Sequence, residues 1–287
     1  ATGSSGHLGG GLLLAILLGP HAAFLTIASV LVVQALFFAD GGLLALGCNI
    51  FNMGFFPAFV AYPFVYKKLL GNNPSRMRLT TATLIAAVVG LQLGPFGVVL
   101  ETFFSGISAL PFATFAILMQ PIHLAIGIVE GFVTVAVVSF VYKARPEILQ
   151  GALAARPIDN HPLRNVLIAF LAVAILAGGG ISLFASKNPD GLEWAIAKVT
   201  GKEELAGPRQ GVHGALAAIQ EKSAFLPDYS FKKPAEPKDR VGDPAPEKKN
   251  EAGDDLGTSM AGIVGTLLTL ALAFISGFIL KKRNKAA

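Results

Sequence analysis

Seven polar or ionisable side chains stand out because each interrupts or borders a long apolar run: His7, Asp40, Asn49, Asn52, Glu101, His123 and Glu130. His7 sits in the stretch Gly3-Ser4-Ser5-Gly6-His7-Leu8-Gly9-Gly10-Gly11. Glycine permits tight turns and close backbone approach, which suits a transition metal held by imidazole and backbone nitrogens. The competing reading is a loop histidine facing solvent. Asp40, ahead of Gly41-Gly42, reads as a turn residue or helix cap. Asn49 and Asn52 fall three apart on one helix face beside Met53, a spacing that serves either a polar cavity or hydrogen bonds between helices. Glu101, His123 and Glu130 are the costly ones, since ionisable groups within hydrocarbon are rare and by default mark function. His123 and Glu130, seven apart, share a helix face. Proton coupling, a metal relay and a structural pair all fit them; Pro121 and Gly127 add the picture of a tightly packed helix that needs polar anchors.

These residues are positioned by membrane-length helices. A bilayer core of about 30 Å takes about 20 apolar residues in a helix. Leu43–Tyr66, Leu79–Phe104, Phe112–Tyr142, Val166–Ala185 and Thr258–Leu280 meet that length. The first stretch, Leu8–Phe38, is broken at Gly19-Pro20, which divides it into a short segment, Gly9–Leu18, and a full one, Pro20–Phe38. Gly94-Pro95 and Gln120-Pro121 are expected to kink their helices rather than end them. Composition agrees: 53% of the 287 residues are hydrophobic, 14% are charged, and the mean hydropathy is +0.61. Soluble domains carry roughly 25% charged residues. Of the 41 charged residues here, 24 lie between Ser186 and Leu256, leaving 17 for the other 216 positions. No water-solvated globular surface has so few. The expected fold class is all-α, a polytopic helical membrane protein of about seven membrane segments with a partly disordered extracytoplasmic loop.

The basic residues orient it. Outside the 186–256 block all 12 fall in four places: Lys67/Lys68 with Arg76/Arg78, Lys143/Arg145, Arg156/Arg164, and Lys281 to Lys285. Basic loops stay in the cytoplasm. Alternating spans then put 186–256 outside, the C-terminus inside, and His7 outside if Leu8–Phe38 crosses twice. With a single broken crossing His7 lies inside. Within the outer block, Leu192, Ile196 and Val199, then Leu216 and Ile219, have helical spacing, whereas Pro227 to Asp255 has the composition of a flexible tether.

Several functions recede. A net charge of +5 confined to loops between spans is not a nucleic-acid footprint. The lone Cys48 supports neither a disulfide framework nor a paired-cysteine metal site. Gly201-Lys202 lacks the rest of a phosphate-binding loop, so the chain should not hydrolyse ATP itself. No nucleophile–base arrangement marks it as an enzyme.

Four motifs in order carry a resemblance: Gly6-His7-Leu8-Gly9-Gly10; Leu17-Leu18-Gly19-Pro20; Gln34-Ala35-Leu36-Phe37-Phe38-Ala39-Asp40-Gly41-Gly42; and Leu46-Gly47-Cys48-Asn49-Ile50-Phe51-Asn52-Met53-Gly54. Residues 1–145 thereby resemble the CbiM/NikM family, the substrate-capture components of energy-coupling factor transporters for cobalt and nickel. Pro189-Asp190-Gly191-Leu192-Glu193 resembles the signature of the PDGLE domain, related to the small CbiN/NikN subunit, in which two membrane helices flank an outward loop. The chain looks like a fused protein: a metal-capture domain over 1–145, a cytoplasmic linker over 146–164, and a PDGLE/CbiN-like domain over 165–287.

The resemblance implies a multi-pass protein of the cell inner membrane that imports Co²⁺ or Ni²⁺ as substrate, with no cofactor, and that can supply cobalamin biosynthesis. It implies two partners, a membrane coupling protein of the CbiQ/NikQ type and an ATPase of the CbiO/NikO type. The family holds its metal in a near-planar nitrogen set: the amino-terminal amine, the backbone and side chain of a second-position His, and the imidazole of the Gly-His-Leu loop. Only the last is present, as His7, which leads to the expectation that the chain is truncated and that an upstream segment beginning Met-His supplies the rest. The alternative is a secondary transporter using Glu101, His123 and Glu130 for proton coupling. Dependence of uptake on the ATPase separates the two.

Overall fold

Apolar runs bounded by Gly, Pro and basic clusters fold as helices because a backbone in hydrocarbon must satisfy its own hydrogen bonds. A computed structural model of the chain describes residues 8–71, 75–106, 110–154, 164–184, 186, 188–202, 210–231 and 251–286. Among them there is no strand, and six helices are long and apolar enough to cross a bilayer.

In chain order the helices are α1 (Gly11–Leu18), α2 (Pro20–Phe38), α3 (Leu46–Leu70), α4 (Arg76–Ser105), α5 (Phe112–Ala144), α6 (Pro146–Leu153), α7 (Arg164–Phe184), α8 (Gly191–Thr200), α9 (Gly211–Ser223) and α10 (Glu251–Ala286). The short segment expected over Gly9–Leu18 is α1, only 8 residues long. At 1.5 Å per residue it spans about 12 Å, less than half a bilayer. Gly19, at φ +83°, ends it, and Pro20 starts α2. Both α4 and α5 continue as helix through Pro95 and Pro121. The wide winding of α3 was not foreseen: Phe51–Tyr66 forms π-type turns that contain Pro57 and Pro63. The last turn of α2, Gln34–Phe38, is wound the same way. Such turns mostly occur as short insertions near functional sites.

The described residues fall into two compact units. The first gathers 1–28, 47–161 and 186–207. Here α4 buries Ala82, Ala86, Gly90 and Gly94 at four-residue spacing. This stripe of small residues lets backbones approach closely, which drives helix association where no hydrophobic force exists between helices. Gly90 faces Ala61 and Pro57 of α3, and Gly94 faces the Asn52 carbonyl. On α5, Gly127 and Gly131 meet Val88 and Leu84 of α4. Gln92 and Gln120 exchange side-chain-to-carbonyl hydrogen bonds between α4 and α5. At the basic end, Lys67 donates to the Leu153 carbonyl and the Tyr62 hydroxyl to the Ala152 carbonyl, tying down α6.

The second unit gathers 29–46, 162–185 and 208–287. Gly178 of α7 and Gly262 of α10 meet backbone to backbone, a close approach that only small residues allow. The lipid-length part of α7 buries none of its residues against protein. The expected tether is shorter than its composition suggested: Pro227–Tyr229 forms a helical turn, Leu226 is buried, and α10 begins at Glu251 rather than Thr258. The remainder of that stretch, 232–250, lies outside the described residues.

Candidate functional site

His7 lies outside the described residues; the turn that follows it does not. Gly10 caps α1 in the left-handed region at φ +67°, a conformation that favours glycine. A Cβ on Gly11 would come within 3.0 Å of both the Met53 carbonyl and Pro57 Cβ, so α1 begins in direct backbone contact with α3. Onto this turn α5 projects Glu130, which is 3% exposed. Its carboxylate accepts the Gly9 N–H at 2.7 Å and the Gly10 N–H at 3.2 Å. Amides at a helix start lack partners within the helix and carry the positive end of its dipole. A buried carboxylate satisfies them with charge-assisted bonds, and they in turn compensate its charge.

His123 and Glu130 share a face of α5 but take separate partners. His123 Nδ1 lies 2.8 Å from the Met119 carbonyl one turn back, the distance of an N–H donating to that oxygen. Its other edge meets α8, where Gly191 packs against the ring and against Ile122. The Pro189–Glu193 signature therefore has a local physical reading. Asp190 caps α8 by accepting the Leu192 and Glu193 N–H groups, each at 2.8 Å, while the Glu193 side chain accepts the Asp190 N–H at 2.9 Å. The exchange between Asp190 and Glu193 closes a reciprocal capping box. Gly191 provides the close approach, and Leu192, Trp194, Ile196 and Val199 pack on a core of Val99, Phe115, Met119 and Ala195. Helical spacing of Leu192, Ile196 and Val199 was visible in the sequence; the capping role of Asp190 and Glu193 and the contact with His123 emerge in the structure.

Asn52 and Glu101 do come together. Asn52 is 3% exposed and donates from Nδ2 to Glu101 Oε2 at 2.8 Å. The bond joins α3 to α4. Asn52 Oδ1 presses against Gly97 and has no hydrogen-bond partner. The Cys48 thiol also reaches Glu101, and Asn49 lies half-buried one turn before Asn52.

Asp40 sits in the second unit, just past the left-handed Ala39 that ends α2. It accepts hydrogen bonds from the Gln34 amide and the Tyr229 hydroxyl. Around it the 220–229 segment covers the open carbonyls of the helix end. Gln220 donates to Ala35 and Gly41, Ser223 to Leu36, and the Phe225 and Leu226 amides to Phe37. Phe38 stacks on Tyr229. Burial, and then the neighbouring Asp40, raise the Tyr229 hydroxyl far above its ordinary range, so it remains a donor at neutral pH.

Among the described residues no three His, Cys, Asp or Glu side chains gather as a metal site. Glu130 is held by Gly9 and Gly10, Glu101 by Asn52, and His123 by Met119.

Comparison with known proteins covers nearly the whole chain. Residues 1–148 match the CbiM family, described as the cobalt uptake substrate-specific transmembrane region, and residues 164–282 match the PDGLE domain. A protein of Archaeoglobus fulgidus assigned as a fused nickel transport protein NikMN is 33% identical over 272 residues, covering 95% of this chain and 77% of its own length. The fused nickel transport protein NikMN of Rhodobacter capsulatus is 30% identical over 257 residues, 79% of this chain and 71% of its own. The cobalt transport protein CbiM of Sorangium cellulosum is 31% identical over 154 residues, 51% of this chain and 65% of its own. No solved structure matches.

Proposed function

Because the chain belongs to the CbiM family and carries a PDGLE domain behind it, we propose that it captures Co²⁺ or Ni²⁺ from the extracytoplasmic side through His7 and hands the ion inward. It is a multi-pass membrane component of cobalt or nickel uptake. The ion is its substrate, and an imidazole in a glycine-rich loop supplies the nitrogen chemistry that both metals accept. Energy comes from partners, a CbiQ/NikQ-type coupling protein in the membrane and a CbiO/NikO-type ATPase beneath it.

The observation that carries this reading is the Gly9–Gly11 turn, held from α5 and seated on α3 immediately after the Gly6-His7-Leu8 motif. A loop bearing a metal ligand needs its backbone fixed, and the turn that follows His7 in sequence is fixed from two helices. Proton coupling by Glu101, His123 and Glu130 draws less support, because each of these groups already serves a local hydrogen bond.

Uptake of Co²⁺ or Ni²⁺ into cells expressing the full-length protein tests it. Accumulation should require both partners and should vanish with His7→Ala. Accumulation that persists without the ATPase returns the secondary transporter to first place. Sidedness is read with an impermeant thiol reagent on a Cys48→Ser background: Arg240→Cys should label from outside, Asn284→Cys only from inside. Labelling of both from one face overturns the orientation drawn from the basic loops.

A further inference from the structure

The geometry points to Glu130 as a positioning residue for metal capture: a buried carboxylate on α5 that fixes the backbone of the Gly9–Gly10 turn and thereby the register of the histidine two residues upstream. The inference rests on the reading of His7 as a ligand.

Glu130 is unusual for a carboxylate inside a membrane helix. It is 3% exposed and, among the described residues, is matched by two backbone amides. The two amides belong to residues 121 and 120 positions away in sequence. They are consecutive, and consecutive amides can converge on one carboxylate only if the chain turns there. Gly10 in the left-handed region makes that turn. The close seat of Gly11 on Met53 and Pro57 stops α1 from sliding along the helices behind it. Glu130 thus fixes the turn from one side and α3 from the other.

Between Gly9 and His7 lie two peptide units, no more than about 7.6 Å of chain. Fixing the Gly9 amide therefore limits how far the His7 backbone can shift to within that length of it. A metal site tolerates little such shift, since partners that orient first ligands are worth roughly 10- to 100-fold in affinity when removed. Charge placed at the start of α1 also suits the helix dipole.

The test compares the full-length protein with Glu130→Gln, an isostere that keeps the packing of α5. The variant keeps one acceptor oxygen and turns an NH₂ group toward the second amide. Two readouts are taken in detergent: amide hydrogen exchange at Gly9 and Gly10 without metal, and Co²⁺ affinity by titration of its visible absorption. The expected result is faster exchange confined to the turn, with roughly tenfold or greater loss of Co²⁺ affinity and a shifted absorption band. Unchanged exchange overturns the anchor. Faster exchange with unchanged affinity and spectrum overturns the positioning role. If Glu130→Gln does not fold, Glu130→Asp, which keeps both oxygens one methylene short, is judged by the same two readouts. A parent protein that takes up no Co²⁺, or loses none with His7→Ala, refutes the capture reading itself and leaves the exchange result to judge the anchor alone.

Discussion

Gly191 lies against the imidazole of His123: a Cβ built on that glycine would stand 3.0 Å from the ring Cε1 and 3.0 Å from Ile122 Cγ2. The glycine of the PDGLE signature is thus a contact surface, placed where α8 touches α5. A methyl group forces the helix off its seat or the ring off its bond to Met119. Gly191→Ala should cost about 1–2 kcal/mol of the docking free energy. Limited trypsin digestion reads it, since Lys198 and Lys202 should be cut faster in the variant. Equal cutting in both proteins would mean that the approach of the two helices is incidental.

The rest of the signature acts through the cap. Asp190 accepts two amides and Glu193 accepts one. Asp190→Ala should therefore destabilise α8 by about 1 kcal/mol, and Glu193→Ala by less, the other half of the box surviving. Digestion at the same lysines ranks them. The reverse order would show that Glu193 has the larger role.

Much of the fold was legible in the sequence and little of the wiring was. Spans such as Phe112–Ala144 announce themselves because an apolar run of bilayer length has few other uses. Resemblance in the Gly6-His7-Leu8 and Pro189–Glu193 motifs gave the family, and the matching segments bear it out. What stayed hidden were partners set by tertiary contact. Spacing put His123 and Glu130 on one face, but the first turns to α8 and the second to Gly9, 121 residues away. The π-type winding of α3 was hidden for a related reason. Pro57 and Pro63 sit within an uninterrupted apolar run, and hydropathy counts residues without counting turns. Tyr229 was lost in a Pro- and Lys-rich stretch whose average composition concealed its anchoring residues.

Gly97 leaves no room for a side chain. A Cβ there overlaps Asn52 Oδ1 and comes within 3.1 Å of Phe56 Cε2. Gly97→Ala should destabilise the protein by about 2–3 kcal/mol, at the upper end for overpacking because the obstruction is a buried amide fixed by Glu101. Asn52→Ala removes the obstruction and also the bond to Glu101. The double variant should then be more stable than the sum of the single losses predicts, by roughly 1 kcal/mol. Thermal unfolding of the four proteins in detergent measures the coupling, and simple additivity would show that Asn52 is not what Gly97 accommodates.

Asp228 makes docking of the 220–229 segment depend on pH. Its burial, and then the nearby charge of Asp40, raise its carboxyl above the ordinary range. The folded protein therefore holds the Asp228 proton more tightly than the unfolded chain does. Above the raised value the ionised group opposes docking of the segment. As pH falls from there toward the ordinary carboxylate value near 3.9, protonation relieves that opposition and docking strengthens. Asp228→Asn supplies the relief at every pH, and asparagine readily adopts the left-handed backbone found here at φ +49°. The position is partly open to solvent, so screening limits the gain to roughly 0.3–0.5 kcal/mol, about a twofold rise in protection. The readout is hydrogen-exchange protection of the Phe225 and Leu226 amides, which donate to the Phe37 carbonyl. At neutral pH the variant should be the better protected, and the difference should close on mild acidification. A difference of the same size at both ends of that range would place the effect in the backbone rather than in the charge.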